Sequence, residues 1–292
     1  MSWESKMATL TAVNHRPVRI PVSEIVRYVA LAGLGILFVL PFIWMVSTSL
    51  KETGQAYRFP PEFIPQPLTI KNYESLWGGP IPFDRFYLNT VIVVIMAEIG
   101  TLTSCTFVAY SFARLKWWGR EVWFVVLLAT MMLPFQVVMI PVYIIFRTLG
   151  WLDTLLPLFI PTFFGNPFYI FLMRQFFMGI PRDLEDAARV DGAGSFRILW
   201  QIFVPLSKPV LLTVAMFTFV GHWNDFLGPL LYLSSVDNMT ISVGLAMFQG
   251  RGGANWPALM AAATLATVPI LVMFTLFQRY FVKGIVLTGM KG

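Results

Sequence analysis

Six apolar runs separated by polar connections constrain this chain more than any other feature. They cover Tyr28 to Leu50, about Phe86 to Ala113, about Val122 to Phe146, about Leu155 to Phe177, Pro209 to Leu233, and Ala258 to Phe281. A hydrocarbon core about 30 Å thick takes roughly 20 apolar residues of helix, and each run reaches that length. In lipid, every backbone N–H and C=O must be satisfied internally, and none of the runs alternates as a strand would. The expected fold is therefore an all-α integral membrane protein with six transmembrane helices. Composition agrees: only 12% of residues are charged and 57% are hydrophobic, against about a quarter charged in soluble domains. A long polar stretch precedes the first run and no small-residue cleavage site follows it, so it reads as a retained helix, not a secretory signal.

Orientation follows from the basic residues. With the N-terminus in the cytoplasm, 15 Lys and Arg residues fall inside and 6 outside (Lys51, Arg58, Lys71, Arg85, Arg147 and Arg251). Cytoplasmic loops collect Lys and Arg, so both termini are expected to be cytoplasmic. The net charge of +6 is then a matter of orientation, and no nucleic-acid partner is expected. Residues 1–27 form an N-terminal arm, 28–282 the membrane domain, and 283–292 a C-terminal tail. The outer segment from Lys51 to Arg85 contains "FPPEFIPQPLTIKNY", and its prolines predict an extended chain.

Some chemistry is missing. The sequence holds no G-x-x-x-x-G-K-[ST] phosphate loop, no H-E-x-x-H and no G-x-S-x-G. His15 lies in the polar arm, and His222, in the fifth run, reads as a hydrogen-bonded packing residue. The single Cys105 reads as a small packing residue and permits no intrachain disulfide. Ionisable or polar groups inside spans are functional candidates by default. Here they are Glu98, Gln136 (between Pro134 and Pro141), and the "WND" group Trp223, Asn224 and Asp225. A buried carboxylate at such a place can relay protons, line a polar pathway, or pair with another subunit.

One connection is unlike the rest. Between the fourth and fifth runs stands "DLEDAARVDGAGSFRILWQIFVP", Asp183 to Pro205. Pro181 suits a first helical turn, and Asp183, Glu185 and Asp186 follow where a helix N-terminus favours negative charge. Ala187 and Ala188 give a small, smooth face. Gly192 and Gly194 break the helix, after which Phe196, Leu199, Ile202 and Phe203 mark an amphipathic stripe. Pro205 and Pro209 turn the chain back into the membrane. The prediction is a cytoplasmic helix–turn–helix over 179–208, either a connector or a docking element for a soluble partner.

"DAARVDGAGSFRILWQIFVPLSKP" resembles the EAA loop of importer-type ABC transporter permeases. Asp186, Ala187 and Ala188 match the family's triplet, Gly192 its glycine, and Ile202 and Pro205 its distal pair. The departure is Asp for Glu at 186, which shortens the side chain by a methylene. Other stretches, among them "YSFARLKWWGR", "MLPFQVVMIPVYIIF", "WNDFLGPLLYL" and "QRYFVKGIVLTGMKG", are similar to the carbohydrate-uptake branch, and to the smaller channel subunit of maltose-type systems.

The resemblance implies a multi-pass permease of a bacterial inner membrane, half of a heterodimer with a second permease. It is served by an extracytoplasmic solute-binding protein and an ABC ATPase dimer. The chain itself is then no enzyme and holds no cofactor, ATP and Mg belonging to the ATPase. The resemblance places ATPase coupling at Asp183, Asp186, Ala187, Ala188, Arg189, Asp191 and Gly192, on a coupling helix from about Arg182 to Asp191. It also implies a tail contact through Lys291 and Gly292. Glu98, Gln136, Trp223, Asn224 and Asp225 are candidates for a sugar pathway, since aromatic and amide groups suit a sugar's faces and hydroxyls. A proton-coupled secondary transporter and a structural membrane subunit are the competing readings.

Overall fold

The computed structural model describes residues 22–249 and 255–289. His15, Lys291 and Gly292 lie outside them, as does most of the N-terminal arm. Among the described residues there is no strand. In chain order the helices are α1 (Val22–Ser49), α2 (Lys71–Glu74), α3 (Phe83–Arg114), α4 (Arg120–Thr130) and α5 (Phe135–Thr148). They continue with α6 (Leu156–Phe159), α7 (Pro167–Met178), α8 (Arg182–Val190), α9 (Ser195–Ile198) and α10 (Val204–Leu206). The last are α11 (Lys208–Trp223), α12 (Leu227–Tyr232), α13 (Ile241–Met247) and α14 (Trp256–Gly289). The chain divides within α1 into two units, Met1–Met45 and Val46–Gly292.

By length and composition, four helical stretches suit a membrane span: Ser23–Ser49, Phe83–Arg114, Leu156–Met178 and Trp256–Gln278. Two bent pairs bring the number to six if each counts as one span. The apolar runs are thus helical, but three of them are not the straight helices that their lengths predict. The third breaks between α4 and α5 at an angle of 98°. Pro134 stands at this break in extended conformation (ψ 141°), where its missing N–H costs least, while Pro141 stays within α5. In the fourth, a 3-10 turn over Ile160–Phe164 and Gly165 at φ +91° separate α6 from α7. The side chain of Asn166 then caps α7, accepting from the N–H groups of Phe168 and Tyr169. The fifth helix ends at Trp223, and the chain resumes as α12 only at Leu227.

The α3 helix organises the second unit. Its 32 residues span about 48 Å at about 1.5 Å per residue. One face, Phe86, Thr90, Val93, Ala97, Thr101 and Cys105, is buried at spacings of three and four. The opposite face, Leu88, Ile92, Ile95 and Ile99, is exposed at the same spacing, a surface that suits lipid chains rather than water. Towards its C-terminal end, Cys105, Ala109 and Phe112 share an apolar cluster with Ile170, Met173 and Phe177 of α7, Ile198 and Leu199, and Val214 of α11. Cys105 is buried there, its sulfur 3.3 Å from the N–H of Asn166, as a packing residue. Near the other end, Thr90 Oγ1 accepts from the N–H of Ile241 at 2.9 Å.

At that same end a polar knot joins the connection after α5 to the one after α12. Asp153 adopts a positive φ of 58°, which Asp tolerates better than most residues. Its carboxylate accepts from the N–H of Ser234 at 2.9 Å and of Ser235 at 2.8 Å, and from the Ser235 hydroxyl. Arg85 of α3 reaches Asp237 in the next turn at 2.7 Å. The Ser235 hydroxyl, followed by the N–H groups of Ser235 and Ser234, holds the Asp153 carboxyl down to about 2. A carboxyl so depressed stabilises the fold above its unfolded value of about 3.9, and that stabilisation is lost as pH falls through the folded value. Asp153→Asn, which keeps the backbone conformation, is therefore expected to lower the thermal midpoint at neutral pH. The gap to the wild-type chain should close between pH 4 and pH 2 when melting is followed in detergent across that window.

A second packing constraint tests the same region. A Cβ at Gly244 of α13 would stand 2.1 Å from the fully buried Phe86 ring of α3. Small residues let backbones approach closely in membrane bundles. Gly244→Ala is expected to cost about 1–3 kcal/mol by overpacking, read as a lower melting temperature of the purified protein.

Candidate functional site

Helix α8 begins after Pro181, which is extended (ψ 137°) and precedes the first turn instead of standing within it. No side chain caps this N-terminus, so the carboxylates of Asp183 and Glu185 in the first turn are its electrostatic complement. The helix ends in a Schellman motif. The N–H of Ala193 donates to Ala188 O at 2.9 Å, and that of Gly192 to Arg189 O at 3.0 Å. Gly192 takes φ +78°, the left-handed residue this motif requires. Gly194, expected to share that duty, has ordinary extended angles (φ −72°, ψ 162°).

The following helix also differs from expectation. Ile198, Leu199 and Phe203 are buried, whereas Phe196 in the first turn is 68% exposed. Leu199–Phe203 winds as a π-helix, immediately ahead of Pro205, which cannot donate to the preceding turn and crowds its carbonyl. Ser195–Leu206 then meets α11 at 80°.

Asp183, Asp186, Ala187 and Val190 recur at three and four residues, and all are exposed. They make one outward stripe, acidic and apolar. Glu185 points the other way and is 7% exposed. It accepts from Arg189 at 2.7 Å on its own helix and lies 3.9 Å from Arg114 at the end of α3. Neighbouring carboxylates at 185 and 186 thus have opposite surroundings. Of the predicted coupling residues, Arg189 is tied to Glu185, Ala188 packs on the apolar cluster, and Asp191 is exposed.

Arg114 was legible only as a charge closing an apolar run, and Glu185 only as one of several acids at a helix start. The Arg114 side chain is 4% exposed. It donates to Phe177 O at 2.6 Å and to Ile180 O, and stands 4.9 Å above the Phe203 ring. Arg174 of α7 makes a parallel anchor, donating to Phe112 O at 3.3 Å, lying 3.6 Å from Glu121 and 3.9 Å above the Phe124 ring. A cavity of about 1040 Å³ separates the Ala113–Val122 stretch from α8, lined in part by Lys116, Arg120, Arg182 and Asp186.

The five candidate pathway residues do not form one cluster. Trp223 is buried, donates from Nε1 to Ala266 O at 2.9 Å, and stacks on Phe219 at 5.4 Å, so its ring is committed to packing. Asn224 donates to Val220 O at 2.9 Å, and Asp225 accepts from the N–H of Gly228 at 3.1 Å. These two finish α11 and start α12. Gln136 is exposed near the start of α5. Glu98 differs: both carboxylate oxygens are buried, with the backbone of Phe219 on α11 as their polar neighbour. His222 bonds Thr218 O of its own helix at 2.9 Å.

Helices long and apolar enough to span a membrane, with a short two-sided helix beside them, suit a multi-pass membrane protein. Comparison with known proteins makes this specific. Residues 105–287 match the family described as "Binding-protein-dependent transport system inner membrane component", and the chain belongs to that family. It is 30% identical over 261 residues to the arabinooligosaccharides transport system permease protein AraQ of Bacillus subtilis (strain 168), covering 89% of this chain and 92% of AraQ. It is also 30% identical over 267 residues to the trehalose/maltose transport system permease protein MalG of Thermococcus litoralis, covering 89% of this chain and 94% of MalG. Among solved structures, a bacterial ABC transporter involved in import of the acidic polysaccharide alginate contains a chain superposing with a TM-score of 0.76. That match has 26% identity and covers 89% of this chain and 96% of that one. The protein is thus an inner-membrane permease subunit of a binding-protein-dependent importer and not itself the ATP-hydrolysing component.

Proposed function

We propose that this chain forms half of the pathway of an ATP-driven carbohydrate importer, and that residues 179–208 are the loop through which an ATPase moves it. The observation that carries the coupling role is the two-sided α8 helix. Asp183, Asp186, Ala187 and Val190 are presented outward, while Glu185 is held against the bundle by Arg114. A partner can grip the first set, and the second passes displacement inward. The positive-inside distribution supports a cytoplasmic position for this loop and for both termini. A domain spanning 28–282, with the arm and tail on either side, fits that topology.

The named substrates of the relatives support a carbohydrate: arabinooligosaccharides, trehalose and maltose, and alginate. The partners in this reading are a second permease, an extracytoplasmic solute-binding protein, and an ATPase dimer that holds ATP and Mg. Lys291 and Gly292 would extend the ATPase contact. Glu98, with its buried carboxylate oxygens inside a span, is the leading pathway residue of the five, ahead of Gln136, Asn224, Asp225 and the packed Trp223.

The test is reconstitution of this chain with its second permease, ATPase and binding protein in proteoliposomes. Uptake of a labelled oligosaccharide panel should require ATP and stop with vanadate. Uptake that needs no ATPase and collapses with the proton gradient would instead establish a secondary transporter.

A further inference from the structure

We propose that Arg114 is the positioning residue through which motion of α8 reaches the membrane helices. The inference rests on the coupling role assigned to 179–208 and adds the route inward. Arg114 ends α3, the central helix, and its guanidinium touches three other elements. It donates to the carbonyls of Phe177 and Ile180 where α7 finishes, lies 3.9 Å from Glu185 on α8, and sits above the ring of Phe203, in the π-helix ahead of the fifth span. A planar fork of donors can hold the two carbonyls in fixed relative positions, which a point charge cannot do, while its charge faces the Glu185 carboxylate at 3.9 Å.

The apolar attachment of α8 is slight by comparison. Ala188 is its side chain in the core cluster, and the cavity bordered by Lys116, Arg120 and Arg182 lies along its flank. Leu184 and Val190 are exposed at 44% and 88%. A helix so thinly packed transmits force mainly through its buried polar link. At the same junction Arg174 joins α7 to the α3 end and to Glu121, so α3 and α7 move as one body when Arg114 is displaced.

Two variants separate transmission from stability. Arg114→Lys keeps the charge and removes the fork. The double variant Arg114→Met with Glu185→Leu replaces the buried ion pair by apolar side chains, and with it removes the donors to the Phe177 and Ile180 carbonyls and the partner of Arg189. Each is measured in the full reconstituted complex for assembly with the ATPase, ATP hydrolysis, and substrate taken up per ATP. Normal assembly is expected, with uptake per ATP falling about tenfold or more, within the range of a coupling free energy.

Unchanged uptake per ATP in assembled variants would overturn the inference, and failure of both variants to assemble would assign the pair to stability alone and also overturn it. If only Arg114→Lys fails to assemble, the double variant decides. Gly192→Val is the reference. If it uncouples and the Arg114 variants do not, only the present inference falls. If it too leaves uptake per ATP unchanged, the coupling role of the loop falls with it.

Discussion

Gly192→Val is expected to reduce uptake per ATP by roughly tenfold to a hundredfold, the span of an ordinary coupling free energy, while the complex still assembles. The cause is conformational and not steric. A Cβ at this position meets nothing within 4 Å, so no clash contributes. What a side chain cannot easily keep is φ +78°. The left-handed region costs a residue with a Cβ about 1–2 kcal/mol, and β-branched residues are worse there. If φ relaxes, both Schellman bonds, Ala193 to Ala188 and Gly192 to Arg189, open together. Helix α8 then loses its fixed angle to the helix that begins at Ser195.

The series distinguishes this cause from any other. Asn tolerates the left-handed region, so Gly192→Asn should remain near wild type, Ala should fall between, and Val should be worst. Uptake and ATP hydrolysis measured on the same proteoliposomes supply the ratio. A flat series from Asn to Val would remove the hinge from the mechanism.

The helices were legible because they rest on local rules. Apolar length marked the runs, and glycine chemistry marked the end of α8. The breaks within runs were less legible, since a proline inside an apolar stretch can be tolerated, as at Pro141, or can stand at a 98° bend, as at Pro134. Only tertiary packing chooses between them. Polarity inside a span does not say how Trp223 is held: its N–H donates to the Ala266 carbonyl of α14, a partner 43 residues away that no local pattern announces. Arg114 was hidden for a related reason. An arginine at the end of a span ordinarily reaches for headgroups, and nothing in "YSFAR" says that its donors turn inward to carbonyls 63 and 66 residues on. The candidate site was therefore half visible: its outward stripe follows from helical period, its inner anchor from long-range contact.

That division predicts opposite failures at adjacent positions. Asp186→Lys is expected to abolish co-purification of the ATPase while leaving the chain's own stability within about 0.5 kcal/mol, as for exposed sites that lack special contacts. Asp186 is exposed and makes no ion pair among the described residues, so reversing its charge alters chiefly what a partner meets. Glu185→Lys should do the reverse. The Glu185 side chain is 9% exposed and lies between Arg114 and Arg189, and a cation there would stand against two others with no carboxylate among them. Breaking a buried pair in this way costs about 3–5 kcal/mol. Thermal melting of the isolated permease and ATPase stoichiometry after affinity purification resolve the two cases. Equal melting losses at 185 and 186 would mean that α8 lacks the two-sided character on which the proposed coupling role depends.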